Sequence, residues 1–150
     1  MPHSYAENVV HVVFSTKDRY KLIPPEFRPR MWSYLAGICR KLDLHVYAIG
    51  GMSDHVHLLV RLPPTLALAK AAGALKANSS KWAGEKGRSF AWQEGYAAFS
   101  VSASLVPRVT RYIREQEAHH KNMNFETELL ALLKRHGVQH DPALVFAKFE

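Results

Sequence analysis

The stretch DHVHLLVRL, residues 54–62, sets two histidines inside an apolar run. Its length and its Val/Leu content fit a buried strand. A strand alternates its side chains, so His55, His57, Leu59 and Arg61 share one face. Val56, Leu58, Val60 and Leu62 share the other, which is the core face. Just upstream, LHVYAIGG (44–51) reads as a second strand ended by a Gly-Gly turn, and the short join makes the two a hairpin. Further out, NVVHVVFSTK (8–17) is short and β-branched, another strand. PPEFRPRMWSYLAGICRKLD (24–43) opens with prolines and spaces Phe27, Met31, Leu35, Ile38 and Leu42 along one helical stripe. TLALAKAAGALKANSSKWAGEKG (65–87) predicts a second helix, with Thr65 as its cap and fraying near residues 84–87. After a loop, AAFSVSAS (97–104) alternates apolar and hydroxyl residues and predicts a fourth strand. Helices are expected over 105–121 and 124–137, the last with Asn124 as cap and Gly137 as stop.

The resulting order, β-α-β-β-α-β followed by two helices, is the split βαβ or ferredoxin-like pattern of an α+β fold. Its two crossover helices cover one face of an antiparallel sheet. The other face is left for a ligand or an added element, and the later helix that carries Tyr112 is expected near it. At 150 residues the chain is long enough for one core and short for two. No repeat or internal linker divides it.

The charge balance is basic, with 20 Lys+Arg against 13 Asp+Glu and a pI near 9.7. Such a surface favours polyanions, of which nucleic acid is the commonest. The single cysteine, Cys39, excludes an intrachain disulfide and a cysteine-rich zinc site. It falls in an apolar helical stripe, as a buried thiol would. No segment approaches the roughly 20 apolar residues of a membrane span. A cytoplasmic location is expected.

Two imidazoles at i and i+2 of a strand can bind one divalent ion, because neutral imidazole is a common metal ligand. In a chain with nine histidines, about half a His-x-His pair arises by chance. The weight therefore rests on the placement of this one, on the non-core phase of an apolar strand. Leu59 stands where a histidine-triad hydrolase needs a third histidine. Further ligands are offered by YIREQEAHH (112–120), where Tyr112 and Gln116 are neighbours four residues apart and His119 and His120 follow one turn on. The same residues have a plainer reading. Leu105, Val109, Tyr112, Ile113 and Gln116 form an ordinary amphipathic stripe, in which a tyrosine is more often core packing. His119 and His120 would complement the helix dipole.

These features together resemble the single-tyrosine HUH transposases of bacterial insertion sequences and the related REP-associated tyrosine transposases. The resemblance rests on the histidine–hydrophobe–histidine strand followed by a helix with one tyrosine and a glutamine four residues later. It extends to SYAENVVHVVFSTKDR, AIGGMSDHVHLLVRLPPTLALA, LKANSSKW, FAWQEGYAAFSVSAS and YIREQEAHHK. It spans residues 3–137 of one domain, 1–150, with the tail 138–150 given no role.

The resemblance implies an enzyme that cuts and rejoins single-stranded DNA, with hairpins at the element ends. It implies that His55, His57 and Gln116 hold a divalent cation, Mg²⁺ or Mn²⁺. Tyr112 would attack the scissile phosphate to give a 5′-phosphotyrosine and a free 3′-OH. A homodimer is implied, with the tyrosine helix of one subunit serving the histidines of the other. DNA contacts are expected from Arg61, Lys76, Lys81, Trp82, Arg88 and Arg111. Trp92, like Trp82, is available to stack on bases, with the core edge as its plainer reading. Lys70, Lys86, Arg108, Arg114 and Lys121 stand nearby in sequence, and His119 and His120 are accessory candidates. The alternatives are a domesticated REP-associated transposase acting on genomic hairpins, and a non-catalytic single-stranded DNA or RNA-binding module. A relaxase fits less well, because relaxases carry the tyrosine before the histidines.

Overall fold

A computed structural model describes residues 3–120 and 123–146. Four antiparallel strands, β1 (Asn8–Ser15), β2 (His45–Gly51), β3 (His55–Leu62) and β4 (Ala97–Val101), form one sheet in the order β2-β3-β1-β4. That is the ferredoxin-like order expected from the sequence. Helices α1 (Arg28–Lys41) and α2 (Leu68–Glu85) cross over on one face. Beneath them Val10, Val12 and Phe14 of β1 and Val56, Leu58, Val60 and Leu62 of β3 form the main core, with Phe27, Met31, Leu35, Ile38 and Cys39. Burial pushes the Cys39 thiol up to about 11, so it is inert in this setting.

Several boundaries differ from expectation. Thr65 does not cap α2. Pro63 and Pro64 draw it into a turn closed by Leu66 N–H to the Pro63 carbonyl (3.2 Å), and the helix starts after Ala67 with no side-chain cap. β4 stops at Val101, and residues 103–105 tighten into a 3₁₀ turn. The helix expected over 105–121 is broken at Glu115 (φ −95°, ψ 19°) into α3 (Val106–Arg114) and α4 (Gln116–His119). Lys121 lies outside the described residues. Trp92 is buried against Phe14, its indole N–H donating to Ser79 Oγ (2.8 Å), so it is a core residue and not a base-stacking one.

The second face of the sheet is covered by the later helices. α3 lies across β2 and β3, where Ile113 joins Val9, Ala48, Leu59 and Val101 in a small core. Its approach depends on Gly50: a Cβ there would collide with the Ile113 carbonyl oxygen. α5 (Phe125–Arg135) covers the other end through Phe125, Leu129, Leu132 and Leu133 against Val13 and Phe99. Asn124 caps it as expected, accepting from Thr127 N–H (2.9 Å), and Gly137 ends it at φ 66°. The tail is not idle. A short α6 (Pro142–Val145) brings Val145 and Phe146 onto the α5 cluster, with the Arg19 guanidinium over Phe146 at 4.9 Å. No helix among the described residues is long and apolar enough to cross a membrane.

Candidate active site

The strand phase of β3 points His55 and His57 away from the main core, as the sequence predicts. Neither is exposed, because α3 and α5 close over them. The Phe125 ring stacks on His55 at 4.4 Å. Burying two imidazoles costs free energy unless their nitrogens are bonded. They are. His57 Nε2–H donates to Glu128 Oε1 (2.9 Å), and His57 Nδ1 pairs with His11 Nε2 (2.8 Å). His55 Nδ1 meets Asp54 Oδ1 (2.7 Å), and its Nε2 lies 3.0 Å from Gln116 Oε1.

Glu128 is the hub. It projects from α5 and is 2% exposed. Oε1 accepts from His57 and from His120 Nε2 (3.0 Å), with His55 Nε2 at 3.5 Å. Oε2 accepts from the Tyr112 hydroxyl and from Gln116 Nε2 (3.0 Å). Tyr112 and Gln116 thus meet, though not as neighbours on one continuous helix. The break at Glu115 sets Gln116 at the start of α4, and both residues reach the same carboxylate. α4 is pinned by the buried Arg28, which donates to Glu117 (2.9 Å), to Ser53 Oγ (2.6 Å) and to the Ile23 carbonyl. His119 is peripheral, with its ring 4.9 Å from that of Tyr112 and Nε2 3.8 Å from Glu128.

The electrostatics follow from this geometry. Burial alone would raise the Glu128 carboxyl, but the bonds from His120, His57 and Tyr112 outweigh it and hold the acid far below its usual range. Burial lowers His57 to about 4 against the pull of Glu128, so the ring is neutral. Burial, with His57 beside it, also keeps His11 neutral. Burial and the Glu128 contact raise the Tyr112 phenol well above its ordinary value. His120 is raised, because its bond to Glu128 outweighs its desolvation.

The donor atoms of His55, His57, His120 and Glu128 all lie within 4.8 Å of one another. Donors around a tetrahedral ion with bonds of about 2.1 Å stand roughly 3.4 Å apart. The three Nε2 atoms already lie 2.9, 3.0 and 3.5 Å from Glu128 Oε1, and the set would draw together by about 1 Å at its widest to hold a divalent cation. Three imidazoles and a carboxylate suit Zn²⁺, Mn²⁺ or Co²⁺ better than Mg²⁺, which prefers oxygen.

The residues expected to touch DNA do not form one patch with this site. Lys76, Lys81, Trp82 and Arg88 belong to α2 and its exit, on the opposite face of the sheet. Lys76 donates to the Gly95 carbonyl (2.8 Å), and burial lowers its amine. Trp82 stacks on Tyr34 (4.5 Å) and Phe27 (5.3 Å), and the Arg88 guanidinium lies 4.1 Å over Phe27. Lys81 is exposed. Arg61 and Arg111 are exposed on the histidine side, Arg61 with Glu7 at 3.9 Å and Arg111 one residue before Tyr112. The sequence reading missed Glu128, His11 and Asp54. A signal existed for the first: Glu128 is three residues after Phe125 and four before Leu132, a carboxylate on the apolar stripe of its helix.

The IS200-like transposase family model matches residues 4–116. The chain is 27% identical over 115 residues to the transposase for insertion sequence element IS200 of Salmonella typhimurium, covering 71% of this chain and 74% of that one. It is 25% identical over 119 residues to the ISDra2 transposase TnpA of Deinococcus radiodurans, covering 71% and 81%. Two solved structures share the fold. A Deinococcus radiodurans R1 chain described as a transposase superposes with a TM-score of 0.61 at 23% identity, over 76% of this chain and 95% of that one. A REP-associated tyrosine transposase bound to a REP hairpin does so with a TM-score of 0.61 at 13% identity, over 79% and 72%. The chain belongs to the IS200-like transposase family.

Proposed function

We propose that this transposase cuts and rejoins single-stranded DNA through a 5′-phosphotyrosine formed on Tyr112, with a divalent cation held at His55, His57 and Gln116. One observation carries the reading: the Tyr112 hydroxyl and the His57 imidazole share a single buried carboxylate. A nucleophile and a set of metal donors therefore meet at one point. A cation bound there supplies positive charge that offsets the charge developing on a scissile phosphate.

The chain's own residues account for the remaining steps. Tyr112 Oη forms the bond to phosphorus while the bond to the 3′ oxygen breaks, which leaves a 3′-OH. As that bond forms the phenolic proton passes to Glu128 Oε2, to which the hydroxyl donates in the resting site, and the departing 3′ oxygen takes up a proton to become the 3′-OH. A carboxylate stabilised by four donors is a weak base, so the resting site keeps its nucleophile protonated. In the return reaction a DNA 3′-OH attacks the phosphotyrosine. A phenol, with a pKa near 10, leaves far more readily than an alkoxide. The covalent link retains the phosphodiester energy, so rejoining needs no ATP.

Residues 1–150 act as one transposase domain, core about 3–137, in the cytoplasm. The substrate is single-stranded DNA with hairpin ends, a reading supported by the REP-hairpin-bound neighbour. Arg61 and Arg111 are the better placed of the expected DNA contacts. Lys76, Lys81, Trp82 and Arg88 would serve a strand wrapping the opposite face. In a homodimer, each site would be assembled in cis. Tyr112 reaches the Glu128 that bonds His57 of its own chain, so the expected exchange of tyrosine helices between subunits is not required. A domesticated enzyme acting on genomic hairpins would use the same chemistry. A non-catalytic binding module would not need the tyrosine.

The test is to incubate the protein with Mn²⁺ and single-stranded oligonucleotides from both strands flanking its gene. The expected product is a denaturation-resistant adduct that is lost in Tyr112→Phe and with chelator. Binding without an adduct on any flank would favour the binding module.

A further inference from the structure

The family match ends at residue 116, yet the residue with the most bonds in the site lies beyond it, on α5. We propose that Glu128 joins the two halves of the site, completing the cation centre through Oε1 with His55, His57 and His120, and holding the Tyr112 hydroxyl through Oε2. This rests on the metal-dependent reading above and changes its ligand set. His120 and Glu128 become ligands, and Gln116 becomes a residue that orients His55 and Glu128.

Three observations support it. First, every imidazole of the set has its outer nitrogen fixed. His55 Nδ1 is held by Asp54, His57 Nδ1 by His11, and His120 Nδ1 donates to the Met123 carbonyl (2.5 Å). Each ring therefore turns Nε2 to one centre, and an outer hydrogen bond of this kind is what orients metal-ligating histidines. Second, the three Nε2 atoms stand 2.9, 3.0 and 3.5 Å from one oxygen, Glu128 Oε1. Gln116 Oε1 meets only His55 among them. Third, two histidines and a glutamine would leave a largely buried divalent charge with no anionic ligand before DNA binds, which is costly. Glu128 provides the missing negative charge.

The partition of the carboxylate gives it a second role. Its oxygens are joined through one carbon, so a cation on Oε1 and a phenol on Oε2 are held at a fixed separation. Glu128 is then a positioning residue for the nucleophile as well as a ligand.

The probe is Co²⁺, followed by its visible d–d absorption in the full-length protein without DNA. Wild type should bind one Co²⁺. Glu128→Gln, which keeps size and shape, should bind at least ten-fold more weakly with altered band intensities. Tyr112→Phe should stay within two-fold of wild type. Glu128→Gln binding Co²⁺ as tightly as wild type, or more tightly, would mean that the carboxylate only fills a metal-free site and would overturn the proposal. A readout on wild type needs no folded variant. With Zn²⁺, long-range ¹H–¹⁵N spectra should show three imidazoles bound through Nε2, and two would overturn the proposal. At saturating Co²⁺, Glu128→Gln should still form the DNA adduct at least ten-fold more slowly, and full recovery would refute the positioning role. If wild type binds no cation, the metal-dependent reading falls with the proposal. If wild type binds and Glu128→Gln is unaffected, the proposal alone falls.

Discussion

Gly50→Ala is the sharpest perturbation of the site that touches none of its polar residues. The new Cβ would overlap the Ile113 carbonyl oxygen and sit 3.1 Å from the Ile113 carbonyl carbon and 3.2 Å from its Cγ2. The obstacle is helix backbone, which cannot swing aside as a side-chain tip can. Restoring ordinary contact requires α3 to retreat by about 1 Å. Tyr112 precedes Ile113, so its hydroxyl moves with the helix while His55 and His57 stay on β3. A misplacement of about 1 Å at a reacting group can cost roughly 100-fold in rate. Overpacking of this kind costs about 1–3 kcal/mol of stability. The assay is single-turnover adduct formation beside Co²⁺ affinity and urea unfolding. The adduct rate should fall by about two orders of magnitude, with Co²⁺ affinity reduced far less. Gly73→Ala is the control, since a Cβ there meets nothing within 4 Å, and it should stabilise helix α2 by about 0.5–1 kcal/mol. Wild-type adduct rate and stability in Gly50→Ala would refute the argument that α3 rides on the bare backbone of β2.

Two further outcomes follow from the same geometry. On the proposed cis arrangement, mixing Tyr112→Phe with His57→Ala protein should restore no adduct formation; recovery after proven subunit exchange would establish the trans sharing that the resemblance implies. In the metal-free protein, His57 is held neutral down to about 4 while the unfolded chain protonates it near 6.5. The unfolded state therefore binds more protons between these values, and stability falls as pH drops through that window, by about 1.4 kcal/mol per unit from this group. His11 acts in the same direction. His120 acts in the opposite sense, but only above 6.5, where its raised value lies. Urea unfolding with chelator should show about 2 kcal/mol less stability at pH 5 than at pH 6.5, and a flat profile would contradict the buried neutral pair.

Much of this could be read from the sequence, for identifiable reasons. The strand and helix order follows from apolar periodicity, and the hairpin from the short join between two β-rich runs. Gly50 and Gly51 are not its turn, however: they pair with His57 and Val56 as the end of β2, and the chain reverses at 52–54. The face carrying His55 and His57 follows from strand phase alone. What escaped depends on contacts between distant segments. The break at Glu115 leaves no mark in a helical pattern that continues through it. Trp92 reads as an available stacking ring until Ser79 and Phe14 are placed beside it. Glu128 was hidden by the strength of its own helix, since Phe125, Leu129 and Leu132 identify the element without it. His11 sits in an apolar strand like the other two histidines. Its role appears only when β1 pairs with β3 and sets it against His57.

The central claim is that Tyr112 is the nucleophile. The most direct measurement is to form the adduct on an oligonucleotide from the gene's flanks, digest protein and DNA, and locate the linkage by mass spectrometry. The account predicts a nucleotide joined through its 5′-phosphate to the peptide containing Tyr112, with a free 3′-OH on the released strand. A linkage at any other residue, or cleavage that leaves no covalent intermediate, would contradict it.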